Sequence, residues 1–109
     1  MIKFEMLETK VLSNFQGGNG DILAKVSADD THRIIQSTYA PGVSTGYHLH
    51  DVSDEIIYIL EGTCKVLHEG KEERLNAGGC HYCKLGESHA VINDGDTDLV
   101  MFAVVTNKN

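Results

Sequence analysis

His48, His50, Glu55 and His89 are the residues of this chain whose types and spacing could do chemistry. One residue separates His48 from His50, so on a strand both imidazoles project from the same face. Glu55 heads the apolar run Ile56-Ile57-Tyr58-Ile59-Leu60. The polar segment Asp51 to Asp54 is short enough to turn the chain and bring the carboxylate beside the two rings. His89 follows in Gly86-Glu-Ser-His89-Ala-Val-Ile-Asn93. Three imidazoles and a carboxylate suit a borderline divalent transition metal, and a folded β-barrel could present all four to one ion.

The elements that must carry these residues read as strands. Apolar residues come in short runs rich in β-branched types and cut by Gly, Asn and Asp. The pattern predicts strands near Ile2–Leu7, Lys10–Ser13, Ile22–Val26, Arg33–Tyr39, Ser44–His50, Glu55–Leu60, Thr63–His68, Lys71–Leu75, Cys80–Lys84, Ala90–Asn93 and Leu99–Thr106. Turn signals separate them: Gly17-Gly18-Asn19-Gly20, Pro41-Gly42, Glu69-Gly70, Ala77-Gly78-Gly79 and Asn93-Asp94-Gly95. His68-Glu69-Gly70-Lys71 reads as a tight hairpin. No segment sustains a helical period with caps. Many short strands joined by close turns predict an all-β sandwich or barrel with little or no helix, one domain over residues 1–109.

Written with their glycines, the histidines form two motifs: Gly42-x5-His48-x-His50-x4-Glu55-x6-Gly62 and Gly78-x5-Lys84-x-Gly86-x2-His89-x3-Asn93. These resemble the two motifs of the cupin superfamily. The first (42–62) matches at every fixed position. The second (78–93) departs once, with Lys84 where the family usually has Pro, which removes no ligand. The chain thus resembles the small single-domain cupins. The resemblance implies a double-stranded β-helix (jelly-roll) barrel, with His48, His50, Glu55 and His89 as metal ligands inside its mouth. It also implies a homodimer packed sheet against sheet, often with the N-terminal strand exchanged, and the alternation of Ile2, Phe4 and Met6 is compatible with that. Mn, Fe, Co, Ni, Cu or Zn all suit such a donor set. Neutral histidines and an ionised glutamate leave a divalent ion net positive, with one or two positions open in an octahedral site. Anionic, oxygen-rich ligands fit it: carboxylates, enediols and hydroxy-ketones.

Strand alternation selects the residues expected around the metal. Ile57 and Ile59 share the face of Glu55 and should line the pocket, whereas Tyr58 faces away. Tyr47 and Leu49 face away from His48 and His50 and should pack. In Arg33–Tyr39, Gln36 and Thr38 occupy one face and Ser37 and Tyr39 the other; one pair faces the pocket, and Gln36 and Thr38 stand beside Ile57 and Ile59 as the candidates. The uncharged run of the last strand makes a greasy wall, which disfavours a large sugar acid. Glu55, or Tyr39 or His81 if they point inward, could act as a base. His32, His68 and His81 fall outside the motifs, with His68 expected in solvent at its hairpin. Cys80 and Cys83 form a C-x-x-C on a strand, where odd spacing sends the thiols to opposite faces. That disfavours a redox pair, and equally a second metal site from Cys80, His81 and Cys83. Buried, small apolar roles suit Cys64, Cys80 and Cys83 better.

Composition excludes several classes. The net charge of −7 and the absence of a basic patch argue against nucleic acid and against an anionic membrane surface. No run approaches the roughly 18 apolar residues of a membrane span. The N-terminus has no signal-peptide core, and three cysteines disfavour a secreted disulfide framework, so the cytoplasm is the expected location. Two functions remain. The first is a metal-dependent enzyme acting on a small oxygenated substrate (carboxylate, enediol or sugar-derived) by isomerisation or dioxygenation. The second is a non-catalytic, metal-dependent module binding a small molecule such as oxalate or a sugar.

Overall fold

A computed structural model describes residues 1–107. It contains ten strands: β1 (Lys10–Ser13), β2 (Asp21–Ala28), β3 (His32–Tyr39), β4 (His48–Leu49), β5 (Ser53–Glu61), β6 (Thr63–His68), β7 (Lys71–Asn76), β8 (Cys80–Cys83), β9 (Ser88–Ile92) and β10 (Leu99–Asn107). Two single 3-10 turns, Phe4–Met6 and Phe15–Gly17, are the only helical elements among the described residues. Every strand pairing is antiparallel.

Period-two burial builds the barrel. In β10, Leu99, Met101, Ala103 and Val105 are buried, while Val100, Phe102 and Val104 between them are half-exposed. One sheet runs β1-β2-β3-β10-β5-β8 and the other β4-β9-β6-β7. Their inward residues share one core, Ile57, Ile59 and Met101 from the first meeting Cys64, Val66 and Val91 from the second. This is the all-β barrel expected from the strand pattern, in the jelly-roll form that the cupin resemblance implies. The β6–β7 hairpin turns on Glu69 and Gly70, both with positive φ (50° and 78°). That is the mirror-image turn whose twist matches its strands.

Two expected strands take another form. Ile2–Leu7 is not a strand: Met6 and Leu7 donate their N–H groups locally to Lys3 and Phe4, closing the first 3-10 turn. Phe4 lies edge-on to Phe102 at 6.2 Å on the outer face of the six-stranded sheet, while Met6 is 78% exposed. The expected Ser44–His50 strand shrinks to β4, preceded by an isolated bridge from Ser44 to Ile92. Its interruption has a steric cause. The turn at Phe15–Gly17 presses backbone to backbone on Ser44–Gly46, and Gly46 donates its N–H to the Phe15 carbonyl at 3.0 Å. A Cβ on Gly46 would stand 1.9 Å from the Gln16 oxygen, and one on Gly18 would stand 2.1 Å from the Ser44 oxygen. Only glycine permits this clasp.

Candidate metal centre

The two sheets meet at the barrel mouth, and the four chemistry-bearing side chains come from both of them. His48 of β4 lies directly across from His89 of β9 in the smaller sheet. Cross-strand partners project from one face, so both imidazoles point inward. His50 follows β4, its backbone N–H donating to the Glu87 carbonyl at 2.9 Å. Glu55 comes from β5 in the larger sheet, on a rung with Val105 of β10 and Cys83 of β8.

Their inner atoms converge. Nε2 of His50 lies 2.9 Å from Nε2 of His89, and Oε1 of Glu55 lies 3.2 Å and 3.1 Å from those two nitrogens. One donor atom from each of His48, His50, Glu55 and His89 falls within 4.8 Å of the others. Donors bonded at about 2.1 Å to one ion and at right angles lie about 3 Å apart, so the donor set already has ligand spacing.

The outer nitrogens are tied back. Nδ1 of His48 contacts the Gly46 carbonyl at 2.8 Å, Nδ1 of His50 the Ser53 hydroxyl at 2.8 Å, and Nδ1 of His89 the Nε2 of His81 at 3.0 Å. Such partners fix ring orientation and tautomer in metal sites. The third is unusual because both groups are imidazoles. Their planes differ by only 24° and their centroids are 5.2 Å apart, so the rings lie end to end. With a metal on Nε2 of His89, its Nδ1 would carry the proton and donate to Nε2 of His81; without one, Nε2 can carry the proton and donate to Glu55. The first arrangement requires His81 to be neutral. Burial, followed by the neighbouring His89 and His68, pushes His81 down to about 4.

The remaining titrations agree with a metal-ready state. Burial lowers His48 below its usual range. Burial alone would raise Glu55, but the hydrogen bonds from His50 and His89, with their charges, outweigh it and hold the carboxyl at about 2. Tyr39 is raised well above the phenol range, by burial first and by Glu55 second. It is therefore a proton donor in hydrogen bonds and no base.

A cavity of about 320 Å³ opens over the four residues. Ile57 lines it as expected, but Ile59 does not: two residues deeper along β5, it is fully buried in the core. β3 gives the cavity Ser37 and Tyr39, with Ile35 and Arg33 on the same face. Gln36 and Thr38 point the other way, because Gln36 pairs across from Phe102 and Thr38 from Val100, the outward residues of β10. Tyr47 and Leu49 are 51% and 55% exposed rather than packed, and Leu49 borders the cavity beside the histidines. His81 lies behind His89, outside the cavity lining, and is no candidate base toward it. His68 is not solvated: Glu87 holds its Nε2 at 3.0 Å, and its ring meets His81 edge-on at 4.8 Å. Cys83 is buried as expected but Cys80 is exposed, because the two thiols lie on opposite faces of β8, and this separates Cys80 from the other two residues of the suggested second metal site. Sequence reading missed Arg33, whose signal was its odd-numbered alternation with Ile35, Ser37 and Tyr39. It also missed Ser53, which nothing in the sequence marks.

Residues 35–105 match the family described as the Cupin domain. The chain belongs to the cupin family. Among its relatives is the oxalate-binding protein of Thermotoga maritima, 35% identical over 100 residues, which are 86% of this chain and 83% of that one. The pectin degradation protein KdgF of Dickeya dadantii is 31% identical over 55 residues, half of each chain. Among solved structures, a cupin described as a predicted oxalate decarboxylase from Thermotoga maritima superposes with a TM-score of 0.91 at 28% identity, covering 98% of both chains. KdgF from Halomonas sp. superposes with a TM-score of 0.80 at 18% identity, covering 99% of this chain and 92% of that one, a likeness of fold. This cupin thus shares the fold of a relative described as oxalate-binding, and its His and Glu groups are positioned to hold a metal. Among its described residues, no helix is long and apolar enough to cross a membrane.

Proposed function

We propose that this cupin holds one divalent transition metal through His48, His50, Glu55 and His89, and uses it to bind a small carboxylate of the oxalate type. The observation that carries the reading is the convergence of one donor atom from each of the three imidazoles and one carboxylate oxygen within 4.8 Å, with a nitrogen of each ring already restrained. The relative that binds oxalate, similar over most of both chains, supports the ligand class. An ion bound there supplies Lewis acidity and open positions for a chelating pair of oxygens. The chain's own residues orient the ligand: Tyr39 and Ser37 offer hydroxyls to it, while Ile57, Met101 and Ala103 exclude water around it.

Binding without turnover is the better-supported role. Beyond the donor set, Ser37, Tyr39, Thr45 and Ser53 contribute hydroxyls that are no general bases near neutral pH, and Asp51, on the loop between β4 and β5, is the one further carboxylate of the lining. Turnover of the same ligand is the second reading, favoured by the description of the Thermotoga maritima structure as a predicted oxalate decarboxylase. As a working unit we propose a homodimer. The outer face of the six-stranded sheet exposes Ile56, Tyr58, Leu60 and Tyr82, each more than 40% accessible in the single chain. Contiguous apolar patches of that kind mark interaction sites.

The test is elemental analysis of protein purified without a His-tag, followed by calorimetric titration with oxalate before and after metal removal. The expected result is near-stoichiometric metal and oxalate binding that disappears with it. Formate or carbon dioxide release would transfer the protein to the second reading. A site that takes up no metal, or oxalate affinity indifferent to metal, would overturn the proposal.

A further inference from the structure

Arg33 occupies a position the metal reading does not use. It is an exposed residue of β3 whose side chain lines the cavity mouth. Apart from the imidazoles, it is the one basic side chain among the described residues that line this cavity. Its guanidinium forms no ion pair or hydrogen bond among the described residues. In a chain of net charge −7, with Asp51 and Glu55 lining the same cavity, an unpaired arginine there is conspicuous.

The sheet register fixes its relation to the centre. Arg33 pairs across β10 with Val105, and Val105 pairs across β5 with Glu55. The three residues form one rung and face the same side. Adjacent strands are about 4.8 Å apart, so the Arg33 and Glu55 backbones stand about 10 Å apart across a single valine. A compact side chain lies between them, and an extended arginine reaches over it toward the donor set. Glu55 is already engaged by His50 and His89, which leaves the guanidinium fork available to another anion. Guanidinium binds carboxylates through two parallel N–H···O bonds, so it reads both charge and shape.

We propose that Arg33 binds the outer anionic group of a ligand whose other end sits on the metal centre, so that the cavity selects small dicarboxylates over equally sized monocarboxylates. This inference rests on the metal-dependent carboxylate reading and adds the second pole of the site. Asp51, on the loop between β4 and β5, is the opposing charge on the lining and reinforces the demand that the anion be delivered to the β3 side.

The probes are oxalate and oxamate, near-isosteres in which an amide replaces one carboxylate. Both are titrated calorimetrically into wild type and Arg33→Gln, each loaded to the same metal stoichiometry, with circular dichroism to verify the fold. Wild type should prefer oxalate by about 10- to 100-fold, the span of a charge-assisted hydrogen bond. Arg33→Gln should reduce that preference to within about threefold, chiefly by weakening oxalate, and Arg33→Lys should restore part of it. If wild type binds oxalate and Arg33→Gln keeps the full preference, Arg33 is a solvated rim residue and this inference is wrong while the metal reading stands. If metal-loaded wild type binds neither probe, the carboxylate reading itself fails and takes this inference with it.

Discussion

Replacing His81 by leucine tests the end-to-end imidazole pair without touching a metal ligand. His81 is 3% exposed and His89 is 1% exposed, so water has little access to the bond between them. In the metal-free chain His89 can move its proton between its two nitrogens and adapt to a missing partner. Once Nε2 is committed to the metal, the proton must remain on Nδ1, 3.0 Å from Nε2 of His81. Leucine at 81 leaves that buried N–H without an acceptor only in the metal-bound state. The cost is about 1–3 kcal/mol, which appears as about 5- to 150-fold weaker metal binding. Loss of such an outer partner elsewhere costs about 10- to 100-fold. The assay is competition for zinc or manganese against a chromophoric chelator at pH 7.5, run on wild type, His81→Leu and His81→Gln. Glutamine offers an amide oxygen as acceptor and should recover much of the loss, which a general packing defect would not. A leucine variant whose affinity stays within twofold of wild type would refute the tautomer argument.

Three further outcomes follow from the same structure. His81 is held near 4 when folded but takes up a proton at 6.5 when unfolded. The metal-free protein should therefore lose stability as pH falls from about 6.5 to 4, by about 3 kcal/mol at most; thermal melts across that window should show a shallower decline in His81→Gln, and equal slopes would contradict the assignment. Burial pushes the thiols of Cys64 and Cys83 up to about 11 and about 12, whereas Cys80 is exposed, so mass spectrometry after brief iodoacetamide treatment at pH 8 should find Cys80 alone alkylated in the folded chain and all three alkylated in denaturant. Tyr58→Asp on the outer sheet face should convert the proposed dimer to monomer in light scattering, with the metal content kept; an unchanged mass would place the dimer contact elsewhere.

The barrel was legible because its information is local. Alternation along β5 and β10, and the glycine-bearing turns between strands, are visible in any short window. The grouping of His48, His50, Glu55 and His89 was legible because they keep fixed distances from their glycines. Residues whose roles depend on pairing between distant strands were harder to read. Which face of β3 turns inward is decided by its partner β10, more than sixty residues away in the chain, so Gln36 and Thr38 could not be separated from Ser37 and Tyr39 by sequence. His68 looked like a hairpin residue because Glu87, which holds it, arrives from another strand connection. The N-terminal alternation of Ile2, Phe4 and Met6 misled for the opposite reason: a strand pattern needs a ladder partner, and there the backbone bonds to itself.

The clasp between Gly18 and Gly46 bears on how little of this chain could be kept. The match to the family model begins at residue 35, and His48, His50, Glu55 and His89 all lie inside it. A fragment trimmed to that region would retain every ligand and every fixed motif position. It would nevertheless lose the turn at Phe15–Gly17 that seats Gly46, whose carbonyl restrains the His48 ring. The recognisable part of the domain is thus smaller than the self-sufficient part. Transplanting the centre into another barrel would require carrying over an N-terminal hairpin that contributes no ligand.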